Sequence, residues 1–470
     1  MKRLRNIILL LSASLLLGGF LYIKPLLPII SGYSAKNLSS GVFLANRSRE
    51  SMEARDLKFS FIQYVKNEID AHSKTVKSSF LGHTSHTCFV NGYGSILLND
   101  FSLSDIQSRP YPSLTALPEN PDTIAWPMGD LIADSIPEGI NIKTLKEAVE
   151  QAFANRIPYK GTFAVMVTYK GQPLIERYAE GFGPDKLFLG WSMAKSITNA
   201  LCGILHKQGK IDIFQPANIE EWQNDERRDI TINNLMHMNS GLAWNENYGN
   251  NSDVNKMLHK EGDMAKYAYS KALKSAPDKV FKYSSGSTNI VSYLLRKALN
   301  NDTAYYAFPR EALFNKIGMR SAVFEVDASG TFVGSSYIYA TMRDYTRFGL
   351  LYLNQGKWQG EQILPEDWVE YTTTAANGSK GDYGAFFWLN EAGTDYPDVP
   401  RDMYCCRGHD GQYIYIIPSK DLVIVRTGFS KKGEFDQNGF VAGIINAIEQ
   451  EDISNSQDCN NEGQKSELFK

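Results

Sequence analysis

Ser192 and Lys195 stand three residues apart in Gly190-Trp191-Ser192-Met193-Ala194-Lys195-Ser196. On a helix, residues at that spacing share a face about one turn apart. An amine so placed reaches the hydroxyl and takes its proton. The serine can then attack an ester, amide or lactam carbonyl and carry the acyl group. After Ser192 the apolar residues Met193, Ile197, Ala200, Leu201, Ile204 and Leu205 recur at helical spacing, and Gly209 ends the pattern. Ser192 is therefore expected in the first turn of a largely buried helix. Free N–H groups and the helix dipole favour developing negative charge there. Taken alone, the pair fits a serine N-cap and a solvated lysine equally well, so the chemistry must be sought in its partners.

Acyl transfer through such a pair needs a proton shuttle and two donors for the oxyanion. Two segments have suitable residues. Lys282-Tyr283-Ser284-Ser285-Gly286 is a polar loop about 90 residues after Ser192, and Gly408-His409-Asp410-Gly411-Gln412 leads directly into a strand.

The elements that must position these groups are legible in outline. Residues 143–155 place Leu145, Ala148, Val149 and Phe153 on one helical face. Thr162–Tyr169 and Leu174–Tyr178 form a hairpin, as do Gln412–Ile417 and Leu422–Arg426, and Val441, Ile444, Ile445 and Ile448 mark a last helix. The order predicts an α/β (α+β) architecture, a mainly antiparallel sheet flanked by helices plus an all-helical subdomain. Short alternating segments between residues 55 and 107 predict a small β-rich N-terminal region. Pro110, Pro112, Pro118, Pro121 and Pro127 read as an extended linker. The expected divisions are 1–30, 31–130, a hydrolase domain over 131–450, and a polar disordered tail over 451–470.

Lys2, Arg3 and Arg5 precede an apolar run from Ile7 to Ile23, with Lys24 and Pro25 behind it. This is a basic flank and a hydrophobic segment at the short limit for crossing a bilayer. It reads as an uncleaved signal anchor, with a cleaved signal peptide as the alternative. The positive flank stays cytoplasmic. The rest of the chain is then expected in the bacterial cell envelope, anchored in the inner membrane facing the periplasm or secreted into it.

The order Ser-x-x-Lys, then Tyr-x-Ser, then His-x-Gly before a strand resembles the serine β-lactamase and penicillin-binding-protein superfamily, in its class C-like branch. The resemblance covers about residues 155–450. It includes Ser240-Gly241-Leu242, a loose match over Asp327–Ser336, and Tyr345-Thr346-Arg347-Phe348-Gly349. Ser285 stands where class C lactamases carry Asn, and His409 where they carry Lys. These departures resemble 6-aminohexanoate-dimer hydrolases and related carboxylesterases. The resemblance implies that Ser192 attacks the carbonyl while Lys195 and Tyr283 move its proton. The N–H groups of Ser192 and Gln412 would form the oxyanion hole, and Ser285, His409, Gly411 and Tyr248 would line the substrate site.

The expected activity is an exported serine hydrolase acting on a small-molecule ester or linear amide. A β-lactamase or D-Ala-D-Ala carboxypeptidase, and a non-catalytic binding protein on the same fold, are the alternatives. No cofactor is expected, since no phosphate-binding glycine loop follows a strand. No metal is expected either, since His83 lies on the opposite strand face from His86 and Cys88. A net charge of −3 over 470 residues, with no basic stripe, gives no footprint for nucleic acid. The five cysteines set no disulfide framework; Cys202, Cys405 and Cys406 read as core thiols.

Overall fold

A computed structural model describes residues 2–449 except 116, 118, 134–136, 138, 155–160 and 432. In chain order the elements used below are α1 (Lys2–Ile23), α2 (Leu27–Phe43), β1 (Lys66–Asp70), β2 (Thr75–Phe80), β3 (His83–Val90) and β4 (Gly94–Leu97). Then follow α3 (Ile142–Ala154), β5 (Gly161–Tyr169), β6 (Gln172–Tyr178), α4 (Met193–Lys207), α5 (Ser285–Leu299) and α6 (Met342–Leu353). The chain closes with β7 (Trp388–Leu389), β8 (Tyr404–Gly408), β9 (Gln412–Ile417), β10 (Leu422–Phe429) and α7 (Gln437–Glu449).

Runs rich in Val, Ile and Tyr build the sheet that carries the site. Its six antiparallel strands run in the order β7-β8-β9-β10-β5-β6. Both predicted hairpins are present as β5–β6 and β9–β10. These strands are buried on both faces, so successive side chains feed two different cores. Val165, Val167, Leu422 and Ile424 pack with Leu145 and Val149 of α3 and Val441 and Ile444 of α7. Met166, Ile414, Val423 and Val425 pack on the other side with Ile197 and Leu201 of α4 and Phe348 of α6. The first and last helices of the domain thus cover one face, and the Ser192 helix covers the other.

The N-terminal region is joined to this body by charge as well as packing. Strands β1–β4 form an antiparallel meander, and α2 lies across it. The sequence hides α2 because Ser31, Gly32, Ser34, Ser39, Ser40 and Gly41 dilute its apolar pattern. Their smallness lets the helix lie close on the strands. Their hydroxyls find partners there: Ser31 with Ser85 at 2.8 Å, Ser34 with Asn67 at 2.9 Å, and Ser39 with Ser95 at 2.8 Å. Buried Lys36 of α2 pairs with buried Glu325 of the main body at 2.5 Å. Glu325 also accepts from Ser40 Oγ at 2.8 Å and the Ser95 N–H at 2.7 Å.

The proline-rich stretch runs along the body. Tyr111 packs between Tyr93 and Tyr306, and Arg347 donates to the carbonyls of Pro127 and Gly129 at 2.6 Å each. Helix α1 stands apart, with its described side chains mostly exposed. Cys88, Cys202, Cys405 and Cys406 are buried free thiols. Cys459 and the expected tail over 451–470 lie outside the described residues.

Candidate active site

Ser192 is presented by a strained turn. Gly190 N–H donates to the Ile338 carbonyl at 2.8 Å, which fixes the chain before the turn. Trp191 then adopts a left-handed backbone with φ of 48°, an uncommon conformation for so bulky a residue. The next amides fold back, Met193 onto the Gly190 carbonyl and Ala194 onto that of Trp191, and α4 begins. The Ser192 side chain makes no capping hydrogen bond, which removes the N-cap reading. Its N–H has no acceptor among the described residues and is available to an oxyanion.

Lys195 reaches Ser192 as the spacing predicts. The residue is 1% exposed. Its Nζ lies 3.0 Å from Ser192 Oγ, 3.0 Å from Ser285 Oγ and 2.9 Å from the Ser335 carbonyl. The Ser335 carbonyl only accepts. Ser285 Oγ has its own proton committed, donating to the Glu246 carboxylate at 2.5 Å, so it too accepts from Lys195. Two amine hydrogens are thereby assigned. In the neutral amine the remaining direction, toward Ser192, holds the lone pair. Burial brings the Lys195 ammonium down to about 8, with the negative charge of Glu246 opposing the shift.

Tyr283 completes the group from the loop ahead of α5. Lys195 Nζ sits 4.9 Å from its ring centroid. Burial, reinforced by Glu246, pushes the Tyr283 hydroxyl well above its ordinary value, while Ser192 and Arg407 pull the other way. The group is a neutral phenol at neutral pH. That disfavours the phenolate form.

Glu246 is the residue the sequence reading passed over. It accepts from the Ser285 N–H at 2.9 Å and from Trp244 Nε1 at 2.5 Å, as well as from Ser285 Oγ. Its place at the first turn of α5 suits a carboxylate on electrostatic grounds. Its only sequence signal was proximity to Tyr248, whose hydroxyl donates to it at 3.2 Å. Ser335 was equally hidden. The loosely matched segment Asp327–Ser336 lies in the interior, with Ser335 fully buried.

The third motif closes the site from the sheet. Gly408 ends β8 against the Gly190 carbonyl, where any Cβ would collide with that oxygen and with Gln412. This close approach sets the start of β9, and with it Gln412, beside the Ser192 turn. Asp410 and Gly411 both have positive φ, 57° and 92°. Gly411 is held by buried Arg426, whose Nη1 donates to its carbonyl at 2.5 Å. His409 stacks on Tyr248 with ring centroids 4.6 Å apart and meets Trp191 edge-on at 5.7 Å. These three rings form a wall beside Ser192, which is 9% exposed.

His83 does not approach this site. It pairs with Ser31 Oγ at 2.9 Å, and no group of three metal-ligating side chains occurs among the described residues.

A mostly antiparallel sheet with a Ser-x-x-Lys helix on one face defines a serine β-lactamase and penicillin-binding-protein architecture. The chain belongs to the Beta-lactamase family, whose model matches residues 154–438. The 6-aminohexanoate-dimer hydrolase of Paenarthrobacter ureafaciens is 25% identical over 295 residues, covering 56% of this chain and 72% of that protein. Among solved structures, a Bacillus anthracis protein assigned as a 6-aminohexanoate-dimer hydrolase superposes with a TM-score of 0.51 at 22% identity, over 72% of this chain and 89% of its own. A family VIII carboxylesterase gives a TM-score of 0.51 at 13% identity, over 67% and 98%. At these identities the structural likenesses carry the fold. Residues 27–107, with α2 and its sheet, precede the matched span.

Proposed function

We infer that the protein is a serine hydrolase that cleaves an ester or linear amide through an acyl-enzyme on Ser192. The observation that carries this reading is the buried Lys195 amine, 3.0 Å from Ser192 Oγ, with its two other contacts both acceptors. Neutral Lys195 takes the Ser192 proton as Oγ bonds to the substrate carbonyl carbon. The N–H groups of Ser192 and Gln412 receive the oxyanion. The tetrahedral intermediate collapses, the bond to the leaving oxygen or nitrogen breaks, and the proton reaches that atom through Tyr283. Water then repeats the sequence against the acyl-serine and frees the acid. His409, Tyr248 and Ser285 border the reacting centre.

Helix α1 is long and apolar enough to cross a membrane. Its 22 residues span about 33 Å at 1.5 Å per residue, against about 30 Å of hydrocarbon. It anchors the chain in the bacterial inner membrane, with the hydrolase body on the periplasmic side.

The test is a panel of p-nitrophenyl acetate, p-nitrophenyl butyrate, 6-aminohexanoate dimer and nitrocefin with the full chain in detergent. Ester or linear-amide turnover is expected, lost in Ser192→Ala and Lys195→Ala. Nitrocefin should be a poor substrate, because His409 lacks the fixed charge that a lysine offers a substrate carboxylate; turnover of nitrocefin alone would place the chain with the lactamases instead.

A further inference from the structure

A cavity of about 610 Å³ lies between the N-terminal region and the rim of the Ser192 site, within the range of small-molecule pockets, roughly 300–1,000 Å³. One wall is apolar and comes wholly from outside the family-matched span: Leu26, Ile29, Ile30, Phe59, Phe61 and Ile62. The opposite wall is Trp191, Tyr248 and His409, rings packed on one another, with Trp191 the chain neighbour of Ser192. Tyr33 of α2 links the two, packing on Phe59 at 5.4 Å and on Trp191 at 6.5 Å. The far end reaches Tyr22, in the last turn of α1, at the level where a helix spanning the bilayer would emerge.

The surface around that end is built for an interface. Phe61, Tyr64 and Leu81 expose 42%, 66% and 63% of their area. Lys24, Lys256 and Lys260 surround a second hollow beside Leu81 and Pro25. Exposed aromatic and aliphatic side chains among lysines, next to an apolar helix, match the composition of a headgroup boundary.

We propose that the substrate is a membrane-resident amphiphile, an ester or amide of a long-chain fatty acid, whose acyl chain enters this cavity from the bilayer face. The proposal rests on the hydrolase reading above. Ser192 Oγ bonds to the acyl carbonyl carbon, and the headgroup alcohol or amine leaves with the proton that Ser192 gave up. Water then releases the fatty acid.

The test uses the full chain in vesicles of phosphatidylcholine and phosphatidylglycerol, with p-nitrophenyl acetate, octanoate and dodecanoate. We expect kcat/KM for dodecanoate to exceed that for acetate by at least about tenfold, a margin that one or two buried methylenes can supply. Ile30→Trp, which fills the cavity, and Phe61→Asp, at an exposed wall position that tolerates a charge, should each cut the dodecanoate-to-acetate ratio at least about tenfold. Labelling of Ser192 by a fluorophosphonate confirms that each variant is folded. Acetate turnover with a ratio near one, or a ratio unmoved by both folded variants, overturns the proposal and leaves the hydrolase intact. No turnover of any ester and no labelling of Ser192 overturns both.

Discussion

The base at this site is defined by its neighbours' hydrogens. Because the Ser335 carbonyl and Ser285 Oγ both accept from Lys195, its lone pair has one direction left, and that direction is Ser192. In the proposed mechanism the neutral amine is the working form, and burial brings its protonation down to about 8. kcat/KM should therefore be low at acid pH, rise through about 8 and level off above it, as measured over a pH series with a fixed ester. Removing the Glu246 charge removes what opposes that depression, so Glu246→Gln should move the rising limb to lower pH. An unmoved limb would show that Glu246 acts only as a partner of α5. Tyr283→Phe keeps the ring but cannot pass the proton, and kcat should fall roughly 10²–10⁴-fold. Ser192, Lys195 and Tyr283 were legible because local spacing and motif order carry them. Glu246 and Ser335 were not, because they meet Lys195 only through the fold, Ser335 from 140 residues away.

At the scale of elements, strand alternation made both hairpins readable, and the apolar period after Ser192 made α4 readable. Helix α2 was not, since its contacts run through serine hydroxyls and small side chains. Its strongest tie is the Lys36–Glu325 pair. Breaking one side of a buried, hydrogen-bonded pair strands the other charge. Glu325→Ala should cost about 3–5 kcal/mol in denaturant unfolding of the full chain in detergent. Lys36→Met combined with Glu325→Leu should recover part of that loss. The approach of Gly408 to the Gly190 carbonyl makes a separate prediction. Gly408→Ala should push β9 away from the Ser192 turn and lower kcat more than it raises KM, because the displaced group is the proposed oxyanion donor of Gln412.

Seen as one molecule, the chain adds an apolar helix long enough to cross a membrane and a small sheet-and-helix layer to a Beta-lactamase-family body. The added layer supplies one wall of the hollow that Trp191, Tyr248 and His409 also line. Sequence patterning revealed the apolar N-terminal run and the strands after residue 66. It did not reveal that α2 leads from α1 into the body, because Lys24-Pro25-Leu26 reads as a break although the structure passes through it as a single helical turn. The full chain should accordingly stay with the membrane fraction after alkaline carbonate washing, while salt alone should not release it. Release by carbonate would mean that α1 does not span.

The central claim is that Ser192 carries the acyl group. The direct measurement is peptide mass spectrometry of the full chain, quenched in acid during turnover of a p-nitrophenyl ester. An acyl adduct is predicted on the peptide holding Ser192. It should be absent in Ser192→Ala and form far more slowly in Lys195→Ala. Undiminished turnover in Ser192→Ala, or an adduct on another residue with Ser192 unmodified, would contradict the account.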